Sequence, residues 1–335
     1  MRLIVETPTF ALSQRENAVI GVCIMIPKPP PRDGALGFLL LSPFRVQGYS
    51  VAGEATSINI PEMDVCFDMG MAPRSALAAK FCALSHGHMD HVGGLAYWCS
   101  QRNFQGMGPG TIVCDARIES DVRGMMEGFQ NLERQKTPYE LIPLEHEQEI
   151  QIKNNIMLRA IHTEHTAPSC GYVVVEKRTK LKEHLVGLPQ EKLRDMKQRG
   201  EEIVNHLEVP LIAYTGDTLP GAHLLRDDVR KAQVIISECT FFEPDHKDRA
   251  KIGMHMHVDD LVEWLKLTEC EHMVVVHLSR RTHLGQARKQ LNQLAGKELA
   301  SKVHFLMDHR SNRARYDLQA EEAMRLEKEL ENQSS

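Results

Sequence analysis

Residues 85–94 read Ser-His-Gly-His-Met-Asp-His-Val-Gly-Gly, which puts three imidazoles and a carboxylate within six positions. The run follows the apolar stretch Ala79–Leu84 and precedes a Gly-Gly pair. A strand end, a tight loop and a helix start predict this order, so the fold must bring a sheet edge to this point. Imidazole nitrogen and carboxylate oxygen are donors that Zn²⁺ accepts. Four donors so close together cannot all wrap one ion, so the spacing predicts two adjacent metals.

Further donors must come from elsewhere, and strand ends are the places to look. His165 follows the alternating run Ile156–Ile161. Asp217, in Thr215-Gly216-Asp217-Thr218, follows Leu211–Tyr214, and His277 closes Val274-Val275-Val276. Short continuous apolar runs such as these are strands buried on both faces.

With 335 residues, 42% hydrophobic and 25% charged, the chain has the composition of a soluble globular protein with a large core. A net charge of −5 excludes a positive field over the whole surface, so any polyanion site must be local. Eight cysteines (23, 66, 82, 99, 114, 170, 239, 270) form no C-x-x-C pair. That argues against a disulfide framework or a cysteine zinc site and for a reducing cytoplasm. Ala18–Ile26 is too short to span a bilayer and ends at Pro27, and no signal-peptide pattern precedes it, so no membrane role is expected.

Residues 1–44 read as an N-terminal extension, either an extra strand and loop or an unstructured segment, with Pro27–Pro31 as an extended linker. Phe44–Val51, Ala55–Ile60 and Val65–Asp68 predict a meander. Helical spacing covers Gly93–Gln101 and Ala116–Asn131, with strands at Thr111–Cys114, Ile150–Ile152, Ile156–Ala160, Gly171–Glu176, Val234–Ser237 and Val303–Met307. Asp259–Leu267 predicts an amphipathic helix with Asp259 as its N-cap. The charged stretch 308–335 reads as an exposed helix or frayed tail. Hairpins first and strand–helix alternation later predict an α/β fold of two sheets sandwiched between helices.

Taken together, H-x-H-x-D-H, a lone His, T-G-D-T and a strand-ending His resemble the metallo-β-lactamase superfamily. Within it the chain is similar to tRNase Z (ribonuclease Z), in the short form found as a cytosolic enzyme in plants. Gly48–Gly53, Phe67-Asp68-Met69-Gly70, His165–Tyr172, Ser237–Phe241, Gly253–His257 and His277–Arg281 carry that resemblance across 45–307. It implies a four-layer αββα sandwich as one catalytic domain, with a short basic arm inserted at 176–210. It also implies two Zn²⁺ per subunit: His86, His88 and His165 on one, Asp90, His91 and His277 on the other, and Asp217 bridging. Mn²⁺ is a chemically acceptable substitute.

The same resemblance gives catalytic roles to Asp90, Glu238 and a histidine that protonates the leaving ribose oxygen. His255 and His257 both stand near the expected place; counting back from His277 favours His255. Ser279 and Arg281 match the family's S-x-R, where a guanidinium fork suits phosphate oxygens. Residues 176–199 carry eight Lys/Arg against four Asp/Glu. A charge run is ordinarily a solvated helix, but a tRNA-gripping arm stands at this place in the family, making Lys180 and Lys182 candidate substrate contacts. The Gly-Pro element of longer arms and the family's Pro-Thr…Arg-Asn N-terminal loop have no counterpart.

The expected activity is removal of 3′ trailers from precursor tRNA by a cytoplasmic homodimer. Another phosphodiesterase of this fold, acting on a small or cyclic nucleotide, would share the metal loop without needing the arm. A noncatalytic RNA-binding scaffold would not need the full ligand set.

Overall fold

The computed structural model describes residues 28–31 and 34–334; Ala18–Ile26 and the rest of 1–27 lie outside the described residues. One compact unit spans 29–316. Its first half holds β1 (Gly37–Leu41), β2 (Phe44–Val51), β3 (Ala55–Ile60), β4 (Val65–Phe67), α1 (Arg74–Leu77) and β5 (Phe81–Ala83). α2 (Met89–Val92), α3 (Leu95–Phe104), β6 (Gly110–Asp115), α4 (Glu119–Glu133) and β7 (Tyr139–Leu144) follow. These strands form one sheet in sequence order, antiparallel from β1 to β4 and parallel from β4 to β7.

The second half repeats the scheme with β8 (Glu149–Lys153), β9 (Ile156–Thr163), β10 (Ser169–Leu181), α5 (Gln190–Gln198), β11 (Val204–Tyr214), α6 (Asp227–Arg230) and β12 (Val234–Glu238). It ends with α7 (Lys247–Gly253), α8 (Val258–Leu265), β13 (His272–Val276), α9 (Leu284–Ser301), β14 (Val303–Phe305) and α10 (His309–Ser334). Here β8 to β11 are antiparallel and β11 to β14 parallel. Each parallel crossover needs a helix or long loop on an outer face, which produces the outer layers.

One apolar core lies between the sheets and includes Val46, Ile58, Phe67, Tyr172, Ile212 and Val274. A second, around Ile235, Val275, Leu261 and Leu291, seats α8 and α9; a third, around Trp98, Ile112 and Met126, seats α3 and α4. The result is the four-layer αββα sandwich expected from the sequence.

Several boundaries differ from the sequence reading. β1, inside the segment read as an extension, pairs with β2 along Gly37↔Gly48 to Leu41↔Phe44. β7 had no periodic signal; it is an edge strand, where Pro143 costs the sheet no interior hydrogen bond. Asp259 is not the N-cap of α8. His257 holds that position, its Nδ1 accepting from the Asp259 N–H at 3.2 Å while Asp260 takes the His257 N–H. An imidazole in the right tautomer caps as a carboxylate does, and the cap falls two residues earlier than composition suggested. α10 begins inside this unit, where Asn312 donates to the Phe305 and Leu306 carbonyls. Its residues 317–334 belong to the other unit and carry ion pairs from Arg325 to Glu322 and Glu329.

The arm is a continuation of β10 and β11 beyond the core, paired from Glu176↔Val209 to Leu181↔Val204, with α5 between them. α5 buries none of its side chains, as its composition predicts for a helix facing water.

Candidate metal centre

Every sequence-predicted ligand stands just past a strand end on one edge of the sandwich. β5 leads into His86–His91, β9 into His165, β11 into Asp217 and β13 into His277. Backbone hydrogen bonds stitch these segments across the two sheets: Cys170 N to Ser85 O at 2.9 Å, and Ala52 N to Leu278 O at 3.1 Å.

Two trios of donors converge. His86 Nε2 lies 2.9 Å from His88 Nδ1, which lies 3.3 Å from His165 Nε2. In the other trio His277 Nε2 lies 3.4 Å and His91 Nε2 3.7 Å from Asp90 Oδ2. Asp217 Oδ2 sits between them, 3.2 Å from His91 Nε2, 3.3 Å from His277 Nε2 and 3.9 Å from His86 Nε2. Each trio's ligand atoms lie within 4.8 Å of one another.

The outward-facing nitrogens fix the tautomers, and with them the case for metal. Ser85 Oγ donates to Asp68 Oδ2 at 2.8 Å, so the His86 Nδ1–H must donate to Ser85 Oγ at 3.0 Å. His91 Nδ1–H donates to Asp68 Oδ2 at 2.7 Å, and His165 Nδ1–H to the Met254 carbonyl at 3.0 Å. Thr240 Oγ1 donates to Glu238 Oε2 at 2.7 Å and receives His277 Nδ1–H at 3.0 Å. Four imidazoles therefore turn Nε2 lone pairs inward, toward one another and toward two carboxylates. His91 Nε2 is buried with no hydrogen-bond partner. Lone pairs converging without protons are stable only around cations, so the donor set fits a pair of divalent ions.

The charges agree. Burial and the neighbouring His91 charge push His86 down to about 2, leaving it a neutral donor. Burial opposes a charged His91, but Asp217 and Asp68 on either side outweigh it and raise its pKa. A divalent cation bound there would take the place of that proton. Asp217 is held well below the usual carboxylate range because His277 and His91 overcome its burial.

Asp68 and Glu238 are completely buried hubs beneath these ligands. Asp68 also accepts from Ser85 N at 2.6 Å and from the Tyr214 hydroxyl at 2.5 Å. Glu238 Oε1 accepts from His255 Nδ1 at 3.0 Å and Thr218 N at 2.9 Å. Asp68 was quoted in the sequence only as part of a motif; its position directly after β4, like that of the ligands after their strands, was the available signal. Thr240, Ser85 and Tyr214 gave none.

Three of the seven described non-glycine residues with positive φ lie here. Asp68 (φ 57°), Met254 (φ 54°) and His277 (φ 55°) are non-glycine residues in the left-handed region. Each carries a group of the site, and such conformations persist only where surrounding contacts over-determine them.

His255 stands beside both trios, with ring centroids 5.0 Å from His165 and 5.3 Å from His277. Burial lowers its pKa, but the Glu238 charge and hydrogen bond and the Asp217 charge raise it to about 9. His257 faces away, as the α8 cap, with Nε2 on the Glu243 carbonyl at 3.1 Å.

Of the substrate candidates, Ser279 and Arg281 lie in the turn after His277, where Arg281 N donates to Ser279 Oγ at 3.3 Å. Arg280 is bound to Glu54 at 2.6 Å, and the Tyr49 hydroxyl holds the same carboxylate at 2.7 Å. In the arm, Lys182 lies 3.1 Å from Glu202, whereas Lys180 has no carboxylate partner among the described residues. The structure does not bring the arm lysines to the metal edge, because β10 starts at that edge and the arm extends its far end.

A family model described as anti-Pycsar protein Apyc1 matches residues 67–209. Among curated proteins, the chain is 30% identical over 274 residues to the chloroplastic tRNase Z TRZ2 of Arabidopsis thaliana, covering 81% of this chain and 77% of that one. It is 30% identical over 241 residues to tRNase Z TRZ1 of the same plant, covering 71% and 86%. Among solved structures, the short form of human tRNase Z superposes with a TM-score of 0.52 at 16% identity, over 81% of this chain and 95% of that one. The metallo-β-lactamase fold protein YhfI of Bacillus subtilis gives 0.54 at 15%, over the same shares. Shared length, shared identity and a common fold lead to one conclusion: the chain belongs to the tRNase Z family, built on the metallo-β-lactamase fold.

Proposed function

We propose that this protein is a zinc-dependent endoribonuclease that removes 3′ trailers from precursor tRNA and leaves a 3′-hydroxyl. The observation that carries the reading is the placement of Asp217 Oδ2 between two trios of inward-facing donors. Two divalent ions held by these residues would supply an activated water and neutralise charge on a phosphodiester.

The remaining work falls to the chain. Asp90 orients the attacking water; its Oδ2 is fixed by the Gly53 N–H at 2.9 Å. His255 keeps a proton for the leaving ribose oxygen, with Nδ1 anchored on Glu238 so that Nε2 is free for substrate. Arg281 and Ser279 hold the scissile phosphate, since Arg280 is already engaged by Glu54. Lys180 and Lys182 remain the arm's candidate contacts, joined by Lys192, Arg194 and Lys197 on exposed α5.

We also read the enzyme as a homodimer; α3 and α4 leave Tyr97, Phe104, Phe129 and Leu132 exposed, apolar surface of the kind a subunit interface covers. Analytical ultracentrifugation checks this. Cytoplasmic residence is supported by the buried free thiols of the seven cysteines among the described residues and checked by fractionation. No helix among the described residues is long and apolar enough to cross a membrane.

The deciding experiment maps the cut made by the purified, Zn²⁺-loaded protein in precursor tRNA, with bis(p-nitrophenyl) phosphate and a cyclic mononucleotide as comparison substrates. A single cut beside the discriminator base is expected. Hydrolysis of either small diester without that cut would sink the tRNA reading. Bound metal with no hydrolysis at all would favour the scaffold.

A further inference from the structure

From Arg280 to Lys302 the chain carries six Lys/Arg against one acid, Glu298, in a protein whose net charge is −5. This segment starts three residues after ligand His277 and runs into α9. α9 buries Ala287, Leu291 and Ala300 against the sheet. Its outer side is bent at Gly296 (φ 77°, ψ 160°), and an open, shallow groove lies along it. Gly285, Arg288, Lys289, Asn292, Gln293, Lys297 and Ser301, all on α9, line that groove.

The lining has a definite chemistry: three cations, two amides and a hydroxyl, with no carboxylate and no large apolar side chain. Arg288 is paired with Asp308. Lys289 and Lys297 have no carboxylate partner among the described residues, and both are exposed. They stand eight residues apart on opposite sides of the bend at Gly296, so one small anion does not span them. A polymer of phosphates does. An acidic protein surface would place carboxylates against the amides as well, but would not need the stripe to begin at the metal edge.

We propose that the bent outer face of α9 is a second RNA-docking surface, holding the phosphate backbone of the substrate's stem through Lys289 and Lys297 while the 3′ end lies in the metal centre. This rests on the tRNA reading for the identity of the RNA, not for the existence of the groove. Cations on a groove with hydrogen-bonding amides hold phosphates without reading sequence, so the contact fixes orientation and contributes salt-dependent affinity.

The test uses the full-length, Zn²⁺-loaded protein and its Lys289→Glu/Lys297→Glu and Glu298→Lys variants. Binding of a fluorescent RNA hairpin is measured by anisotropy from 50 to 200 mM salt, beside hydrolysis of bis(p-nitrophenyl) phosphate and precursor tRNA. Charge reversal is expected to weaken hairpin binding at least tenfold and to flatten the log–log salt slope by about 1.4–1.8, the loss of two phosphate contacts. KM for precursor tRNA should rise with kcat held, and small-diester hydrolysis should not change. Glu298→Lys should tighten binding and steepen the slope, a gain that misfolding cannot imitate. Unchanged binding and slope in both variants would overturn the proposal. If the wild type fails to cut precursor tRNA yet the hairpin results follow the expected pattern, the function is wrong and the groove stands.

Discussion

Glu238 holds His255 by a 3.0 Å hydrogen bond to Nδ1 and, through its other oxygen and Thr240, steadies His277 of the metal centre. One buried carboxylate thus positions both the proposed proton donor and a proposed metal ligand. Replacing it with glutamine keeps the shape and removes the charge that raises His255 to about 9. With that charge gone, burial dominates and His255 loses its proton at lower pH. The alkaline limb of the kcat–pH profile for precursor tRNA should move to lower pH in Glu238→Gln. A limb that stays in place would exclude His255 as the group titrating there.

His255 and His257 should separate cleanly. His255→Ala is expected to keep both metals and slow cleavage about 10²–10⁴-fold, the usual contribution of a positioned acid. His257→Ala should leave cleavage nearly intact and lower stability by about 1 kcal/mol, the worth of a helix cap. Metal analysis, turnover and thermal unfolding on the two variants decide it; loss of zinc from His255→Ala would contradict the assignment.

Asp217→Ala should lose metal and turnover together, because its oxygen serves both trios. Asp68→Ala removes no ligand but frees His91 and, through Ser85, His86. Metal affinity should then fall about 10–100-fold, as for outer-shell partners of metal-bound histidines. Chelator competition measures it, and an unchanged affinity would reject the hub role.

At Gly70 an added methyl would overlap the Asp90 carbonyl oxygen and crowd the Thr56 amide. Both are backbone atoms and cannot swing aside. Gly70→Ala should therefore displace the ligand loop, lowering the thermal midpoint and metal content together. Wild-type values for both would show that the loop is more pliant than its packing implies.

The arm pairs as far as Leu181↔Val204. Replacing 182–203 with a two-residue Asn-Gly turn should close that ladder as a hairpin and leave the core intact. KM for precursor tRNA should rise at least tenfold, with bis(p-nitrophenyl) phosphate hydrolysis unaffected. Equal losses on both substrates would mean the arm supports the fold rather than grips RNA.

The H-x-H-x-D-H run, Asp217 and His277 were legible in the sequence because each donor stands where a buried apolar run stops, a local pattern that survives without coordinates. The same alternation gave most of the strands and the layered architecture. β7 escaped because an edge strand with a proline has neither full burial nor clean period two. Asp68 had the right placement, but a lone carboxylate after a strand looks like any turn.

Counting back from His277 favours His255 over His257 in the sequence, but only the folded chain gives the two residues physically different surroundings. The choice depends on Glu238 and α8, which approach from separate elements. Likewise, Arg280 is committed to Glu54 from a hairpin more than two hundred residues away. Local periodicity decides which residues form strands and where they end. Which lone pairs then face one another is set by sheet register and packing, and only those bring residues remote in sequence within coordinating distance.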